Sequence, residues 1–155
     1  MDKQSFERLY LELLPGLYRL AQGILRQPAD AQDAVQQAAI KAWLALNRLP
    51  PGGERAYFAR IVINECRNIQ RQRMRVQCVP DPPVRAATTQ DGALGEAITA
   101  LPESLRLPLL MKYMEGFSER EAAAALGIGI PALKSRLYRA RRQLERTLNE
   151  EVEWE

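Results

Sequence analysis

The chemistry most evident in this chain is that of cationic side chains placed to meet phosphate groups. At about 100° per residue, the apolar residues of the segment 131–148 fall on one side of a helix and arginines fall on the other. Such a face can neutralise phosphates, although a charged helix face is more often simply solvated. The apolar side holds Leu133, Leu137, Ala140, Leu144 and Leu148, and the polar side holds Ser135, Tyr138, Arg139, Arg142 and Arg146.

The residues before this helix have the spacing of a helix-turn-helix. Ser118 and Glu121 can form a capping box, which predicts a short helix over residues 119–126. Gly127 then allows a sharp turn before Pro131 begins the long helix. The second helix of such a motif enters the major groove, so its first residues would read base edges and later arginines would contact phosphates. The base-reading candidates are Pro131, Ala132, Lys134, Ser135 and Arg139, and the phosphate candidates are Arg136, Arg142 and Arg146.

A second polar stripe lies on a helix predicted over residues 55–75. Its members recur at helical spacing within an arc of about 60°. Together with Tyr57 and Phe58 at the start of the helix, they suit single-stranded nucleic acid, whose bases can be unstacked and held. Taken alone, the pattern also fits an ordinary solvated helix face. The stripe consists of Arg60, Asn64, Arg67 and Arg71.

The preceding helix carries apolar residues on two sides. Ile40 and Leu44 project away from its main apolar stripe and lie among polar residues. They form a candidate docking surface for another helix, or they are two apolar residues left on a surface or covered by the first helix. The polar neighbours are Asp33, Gln36, Gln37 and Lys41.

Residue types for catalysis and metal binding are scarce. The chain has no histidine, which removes the usual general base near neutral pH and the Ser-His and Cys-His nucleophile pairs. Cys66 and Cys78 lack a CxxC spacing, so reduced thiols without a chemical role are expected. The acidic pairs lie in first helical turns, where capping and the helix dipole explain them. We therefore expect no enzyme activity, no cofactor, no metal site and no small-molecule substrate.

The elements that carry these surfaces are predicted to form an all-α protein, because apolar residues recur at helical spacing and no segment alternates like a strand. Two small helical domains are expected: a three-helix domain over residues 1–75 and a helix-turn-helix domain over 96–148. A flexible linker over 76–95, rich in Pro, Gly and Thr, joins them, and an acidic tail follows over 149–155. We recognise neither a membrane span nor a secretory signal, so a cytoplasmic protein without membrane insertion is expected.

Helix boundaries follow from the breaker residues. Pro15 and Gly16 indicate a kink or a restart in the first helix. The second helix is expected to start after Pro28, with Asp30 as a cap, and to end near residue 47. In the second domain, Pro102 is expected to begin a helix that ends near residue 116.

Several segments together resemble the extracytoplasmic-function (ECF, group IV) sigma factors of the sigma-70 family of bacterial RNA polymerase. PADAQDAVQQ (28–37) with AW (42–43) is similar to the DAEDLVQE...AW segment of sigma region two. YFARIVIN (57–64) with RQR (71–73) is similar to the W-L-x-R-I-A-x-N...RRR helix of the same region. Four further segments are similar to sigma region four: LPE (101–103), YMEGFS (113–118), LGI (126–128) and LKSRLYRAR (133–141).

The resemblance implies a protein that directs core RNA polymerase to promoters and assists their melting. The first domain would dock on the clamp helices of the β′ subunit and hold the melted minus-10 element. The second would read the minus-35 duplex and contact the flap of the β subunit, and an anti-sigma factor is expected. A stand-alone helix-turn-helix regulator with an N-terminal dimerisation or sensing domain is the main alternative. A protein-binding adaptor whose basic faces meet acidic protein surfaces is a second one.

The resemblance also assigns residues to each surface. The minus-35 set is Pro131, Ala132, Lys134, Ser135, Arg136, Arg139 and Arg142. The minus-10 set is Asn47, Arg55, Tyr57, Arg60, Asn64, Arg67 and Arg71. The polymerase-binding set is Asp33, Gln36, Gln37, Ile40, Lys41 and Leu44.

Overall fold

The computed structural model describes residues 2–76 and 92–153, and the side chains of residues 2–75 and 92–149. Within those ranges all regular structure is helical, which confirms the predicted all-α class. A 3-10 turn follows α2 and a π-helical turn follows α5. The helices are α1 (Lys3–Ile24), α2 (Pro28–Leu44), α3 (Glu54–Val76), α4 (Ala93–Ala100), α5 (Glu103–Leu109), α6 (Glu119–Leu126) and α7 (Ile130–Glu153), and the turns are Leu46–Arg48 and Leu110–Met114.

The N-terminal three-helix domain is packed from α1, α2 and α3. The restart considered at Pro15 is wrong, because α1 continues through that residue. A proline inside a helix costs a hydrogen bond and about 3 kcal/mol. Burial of Phe6 in the first half of α1 and Leu20 in the second, both in one core, offsets that cost.

The second helix differs from the prediction at both ends. Gln27 is its N-cap residue and makes no side-chain cap, while Asp30 lies within the first turn and pairs with Arg73. The helix ends at Leu44, and residue 47 belongs to the following 3-10 turn. The expected cap is therefore wrong, because the carboxylate of Asp30 finds a partner on α3 instead of a backbone N–H group.

The helix α4 was not predicted. It begins at Ala93, within the range assigned to the linker from its composition, and it packs against α7. Burial of Gly95 and Ala97 supplies a tertiary contact that propensity does not reveal. The rest of the predicted linker, residues 77–91, lies outside the described residues, as does Cys78.

The helix expected between residues 102 and 116 is interrupted. Pro108 lies inside α5 and cannot donate a backbone hydrogen bond. The chain then widens into the π-helical turn, in which the Glu115 N–H donates to the Leu110 carbonyl at 3.0 Å. Gly116, with φ of 71°, ends this segment as the sequence predicts.

The helix-turn-helix forms as the sequence predicts. The Glu121 N–H donates to the Ser118 hydroxyl and the Ser118 N–H donates to the Glu121 carboxylate, both at 3.0 Å. Gly127 adopts φ of 70°, a left-handed conformation that glycine accepts without strain. Residues 149–153, which the sequence assigns to a separate acidic tail, continue α7.

The two domains share one hydrophobic core. Helix α3 packs against α6 as well as against α1 and α2, so its apolar arc is covered from both domains. Small domains bury little apolar surface alone, and joining them enlarges the common core. The shared cluster includes Leu17, Leu20, Phe58, Val62 and Ile63 from the first domain, with Leu107, Met111, Leu126, Leu133 and Leu137 from the second.

Candidate nucleic-acid and polymerase surfaces

The start of α7 presents its polar residues to solvent. Leu133 and Leu137 are buried, which orients the opposite side of the helix outward. Lys134, Ser135 and Arg139 are exposed there, so the faces predicted from the periodicity are the faces observed. Of the remaining minus-35 candidates, Pro131, Ala132 and Arg142 are exposed and Arg136 is half-buried.

A polar cluster flanks this surface, and sequence reasoning missed most of it. The Lys112 ammonium lies 2.8 Å from one carboxylate oxygen of Glu119, and the Lys134 ammonium lies 3.9 Å from the other. Arg141 donates to the Tyr113 hydroxyl at 3.1 Å. The hydrogen bond from Lys112, followed by nearby positive charges, lowers the pKa of Glu119, so its carboxylate is ionised at neutral pH.

No spacing in the sequence links these residues. Lys112 and Tyr113 come from the π-helical turn, Glu119 from α6, and Lys134 with Arg141 from α7. The packing of α6 and the π-helical turn against their neighbours brings them together. The only signal of this cluster in the sequence is that its members are of charged and aromatic types.

The stripe on α3 is also exposed. Phe58 and Val62 are buried, while Arg60, Asn64 and Arg67 face solvent. The remaining stripe residue, Arg71, is exposed and donates to the Asn68 side chain, and Tyr57 is half-buried. Together they form a continuous polar face along α3.

The structure separates Arg55 from that face. Its guanidinium donates to the backbone carbonyl of Glu115 and lies 4.1 Å from the centre of the Phe117 ring. Arg55 thus contacts the second domain in this arrangement, whereas Asn47 is exposed in the 3-10 turn. The minus-10 candidates do not all converge on one surface here.

The docking surface on α2 has an exposed apolar centre. Ile40 is 53% and Leu44 is 80% exposed, and Trp43 beside them is 38% exposed. Trp43 was missed as a surface residue because its partial exposure depends on how its ring packs against Phe6 of α1, with the ring centres 5.2 Å apart. Among the polar neighbours, Lys41 pairs with Glu65, a buried carboxylate on α3. Asp33, Gln36 and Gln37 are exposed around the same surface.

Comparison with known proteins identifies the family. The family model for Sigma-70 region 2 matches residues 9–76, and that for Sigma-70, region 4, matches residues 91–144. The ECF RNA polymerase sigma factor SigM of Mycobacterium tuberculosis is 30% identical over 157 residues, which cover 95% of this chain and 79% of SigM. The chain is an ECF sigma factor of the sigma-70 family. A stand-alone regulator is not favoured, because the first domain is a sigma region 2.

Other relatives of this sigma factor agree. The ECF RNA polymerase sigma factor SigE of Mycolicibacterium smegmatis is 27% identical over 154 residues, and the match covers 90% of this chain and 60% of SigE. The solved structure of the sigma factor RpoE from Bartonella quintana, in complex with the anti-sigma factor NepR, superposes with a TM-score of 0.76 at 27% identity. That match covers 94% of this chain and 98% of RpoE. No helix within the described residues is long and apolar enough to cross a membrane.

Proposed function

We propose that this sigma factor brings core RNA polymerase to promoters by reading a minus-35 duplex with α7 and holding a melted minus-10 strand with α3. The supporting observation is that each domain exposes one basic helix face whose opposite side is packed in the core. Base edges in the major groove offer acceptors to Lys134 and Arg139, while Arg136 and Arg142 would contact phosphates. On α3, the stripe from Arg60 to Arg71 would follow a single strand.

The exposed apolar centre of α2 is the proposed polymerase contact. Ile40 and Leu44 would pack on the clamp helices of the β′ subunit, with the polar residues around them hydrogen bonding at the rim. Lys41 contributes less to docking than its position predicts, because Glu65 already holds its ammonium group. The second domain would contact the β flap.

The work of such a protein is differential binding and involves no bond chemistry. Polymerase fixes the separation of the two DNA-binding surfaces, and the second contact then gains from effective concentration. Stacking and phosphate contacts would offset the cost of separating the strands. We assign the protein to group IV and to the bacterial cytoplasm, where polymerase and promoters are found.

An anti-sigma factor is a proposed partner. RpoE, which shares the fold over most of its length, was solved in complex with the anti-sigma factor NepR. An inhibitor of this sigma factor would cover the exposed polymerase-binding residues of α2. Docking on polymerase and binding of the inhibitor would then exclude each other.

Reconstituted transcription tests the proposal. Core RNA polymerase with this chain should start transcripts at discrete promoters of a genomic DNA template, mapped by sequencing of RNA 5′ ends. Arg139→Ala and Arg67→Ala should weaken initiation, whereas Arg8→Ala, a matched loss of an exposed arginine on α1, should leave it unchanged. Absence of specific start sites on every template would overturn the proposal.

A further inference from the structure

Glu119 is an acidic residue that lies near Lys112, Lys134 and Arg141 at the edge of the surface formed by α7. It lies in the first turn of α6, and its two carboxylate oxygens face the ammonium groups of Lys112 and Lys134. Its side chain is about one third exposed, so the pairs form at the surface where DNA would approach. A carboxylate at this place repels phosphates, so its presence needs a reason beyond DNA affinity.

Helix capping does not supply that reason. Ser118 and Glu121 already form both hydrogen bonds of the capping box at the start of α6. The carboxylate of Glu119 points instead toward Lys112, which lies in the preceding π-helical turn. A favourable interaction with the helix dipole remains, but Glu121 in the same turn provides the same charge.

The lysines held by Glu119 have different targets. Lys134 is at the start of α7, where side chains reach base edges, whereas Lys112 lies in the π-helical turn with its ammonium group 5.5 Å from the centre of the Tyr113 ring. Both ammonium groups must leave the carboxylate, at least in part, when they contact DNA. That loss applies to every DNA sequence, whereas the position of the base acceptors that Lys134 could reach differs from one sequence to another.

We propose that Glu119 is a positioning residue of the minus-35 surface that pairs with Lys112 and Lys134 in the free protein, cancels one unit of their positive charge and thereby selects against duplex DNA of arbitrary sequence. This inference rests on the proposed function, since it requires α7 to bind duplex DNA. Non-specific binding depends almost entirely on phosphate neutralisation, so it loses most when two cations are already paired. Specific binding retains the hydrogen bonds to bases and loses less.

The test compares the full-length chain with Glu119→Gln, which keeps the size of the side chain and removes its charge. Binding to short duplexes with a randomised centre would be measured by fluorescence anisotropy over a series of salt concentrations. Glu119→Gln should bind about three- to tenfold more tightly at low salt, because one repulsive charge near the phosphates is lost. The log–log salt slope should steepen by about 0.9, the effect of one additional phosphate contact.

Sequence preference provides a second readout. Sequencing of the duplexes retained from the randomised pool should show a flatter base preference for Glu119→Gln than for the unaltered chain. Glu119→Asp keeps the charge and should behave like the unaltered chain. Glu96→Gln removes an exposed carboxylate from α4 and should change neither affinity nor preference. Unfolding curves of all variants control for folding.

The outcomes separate this inference from the proposed function. If the unaltered chain binds duplex DNA and Glu119→Gln has the same or a weaker affinity and the same salt slope, the inference fails and the proposed function stands. If neither chain binds any duplex, at low salt or with core polymerase, both fail. Tighter and less selective binding by Glu119→Gln alone supports the inference.

Discussion

The charged side chain of Arg106 is buried at the contact between the two domains. It is 8% exposed, and its guanidinium donates to the Gly23 carbonyl at 2.8 and 3.1 Å and to the Leu101 carbonyl at 2.8 Å. Burial lowers the pKa of Arg106, yet arginine remains protonated because its ordinary pKa is so high. The side chain therefore joins α5 to the end of α1 and to the end of α4, and it satisfies carbonyl groups that burial would otherwise leave unpaired.

Replacement of this side chain tests that role. Arg106→Met keeps much of the apolar volume and removes every donor, so the free energy of unfolding should fall by about 2 to 4 kcal/mol. Urea denaturation followed by circular dichroism measures the change. Arg120→Met, at an exposed position of α6, is the control and should change stability by less than about 0.5 kcal/mol. Equal effects of the two substitutions would contradict the role.

Cys66 links stability to alkaline pH. Its side chain is fully buried on α3, and desolvation raises the pKa of the thiol to about 12, against 9.0 for an exposed thiol. The pKa of this thiol is higher in the folded chain than in the unfolded chain. The stability that protonated Cys66 contributes to the fold is therefore fully present below pH 9 and is lost as the pH rises toward 12. The unfolding free energy should therefore fall more steeply over that range in the unaltered chain than in Cys66→Ala. Parallel pH profiles in denaturant titrations would show that the thiol does not contribute.

At the scale of elements, the helix-turn-helix depends on one cap and one glycine. Ser118→Ala removes the acceptor for the Glu121 N–H and should cost about 1 kcal/mol of unfolding free energy. Thermal unfolding of the full chain measures this loss. Ser104→Ala, at an exposed position inside α5, is a matched control that removes no cap. A loss of similar size in both variants would mean that the cap contributes nothing specific.

At the scale of the whole molecule, the compact arrangement conflicts with simultaneous promoter binding. Elements named for positions 35 and 10 are centred about 25 base pairs apart, or roughly 85 Å at 3.4 Å per base pair. A compact chain of this length has a radius of gyration of only about 15 Å. If α7 binds the minus-35 duplex and α3 the minus-10 strand as proposed, the two domains must separate before both surfaces reach their DNA elements.

Part of the contact between the domains is polar and lies at its edge. Arg19 makes a two-pronged ion pair with Glu115 at 2.6 and 2.7 Å, and Arg55 contacts the same loop. These polar groups can be solvated after opening, but the apolar core that the domains share would be exposed as well, so binding to polymerase and promoter DNA must supply the free energy of separation. Opening also releases Arg55, which could then contribute to the minus-10 surface as predicted.

Distance measurements check the separation. Fluorophores at Gln4 and Ser104, both exposed and in different domains, should move apart from their separation in the free chain when core polymerase and promoter DNA are added. Cys66 is buried, and Cys78→Ser in this variant removes the other native thiol. Glu115→Arg should shift the free chain toward the open form, and addition of Arg19→Glu should reverse that shift. An unchanged distance on the transcription complex would contradict the prediction.

Some features of the site could be predicted because they depend on neighbours in sequence. The capping box from Ser118, the turn at Gly127 and the outward face of α7 follow from spacing alone, and the structure places them accordingly. The missed helix α4, the unbroken passage of α1 through Pro15 and the shared core depend on contacts between distant segments. Helix propensity opposes both α4 and the passage of α1 through Pro15. In each case the burial of apolar surface outweighs that propensity.

The amino-acid sequence by itself determined the helical class, the two basic faces and the motifs that place the chain among ECF sigma factors. These properties depend on the periodicity and the types of residues within single helices, so they can be recognised before the helices pack together. Only the tertiary structure decided which charges are engaged: Arg55 with the second domain, Arg106 with the end of α1, and Glu119 with two lysines. Electrostatic partners are set by distance through space, and helices separated in sequence acquire those distances only when they pack.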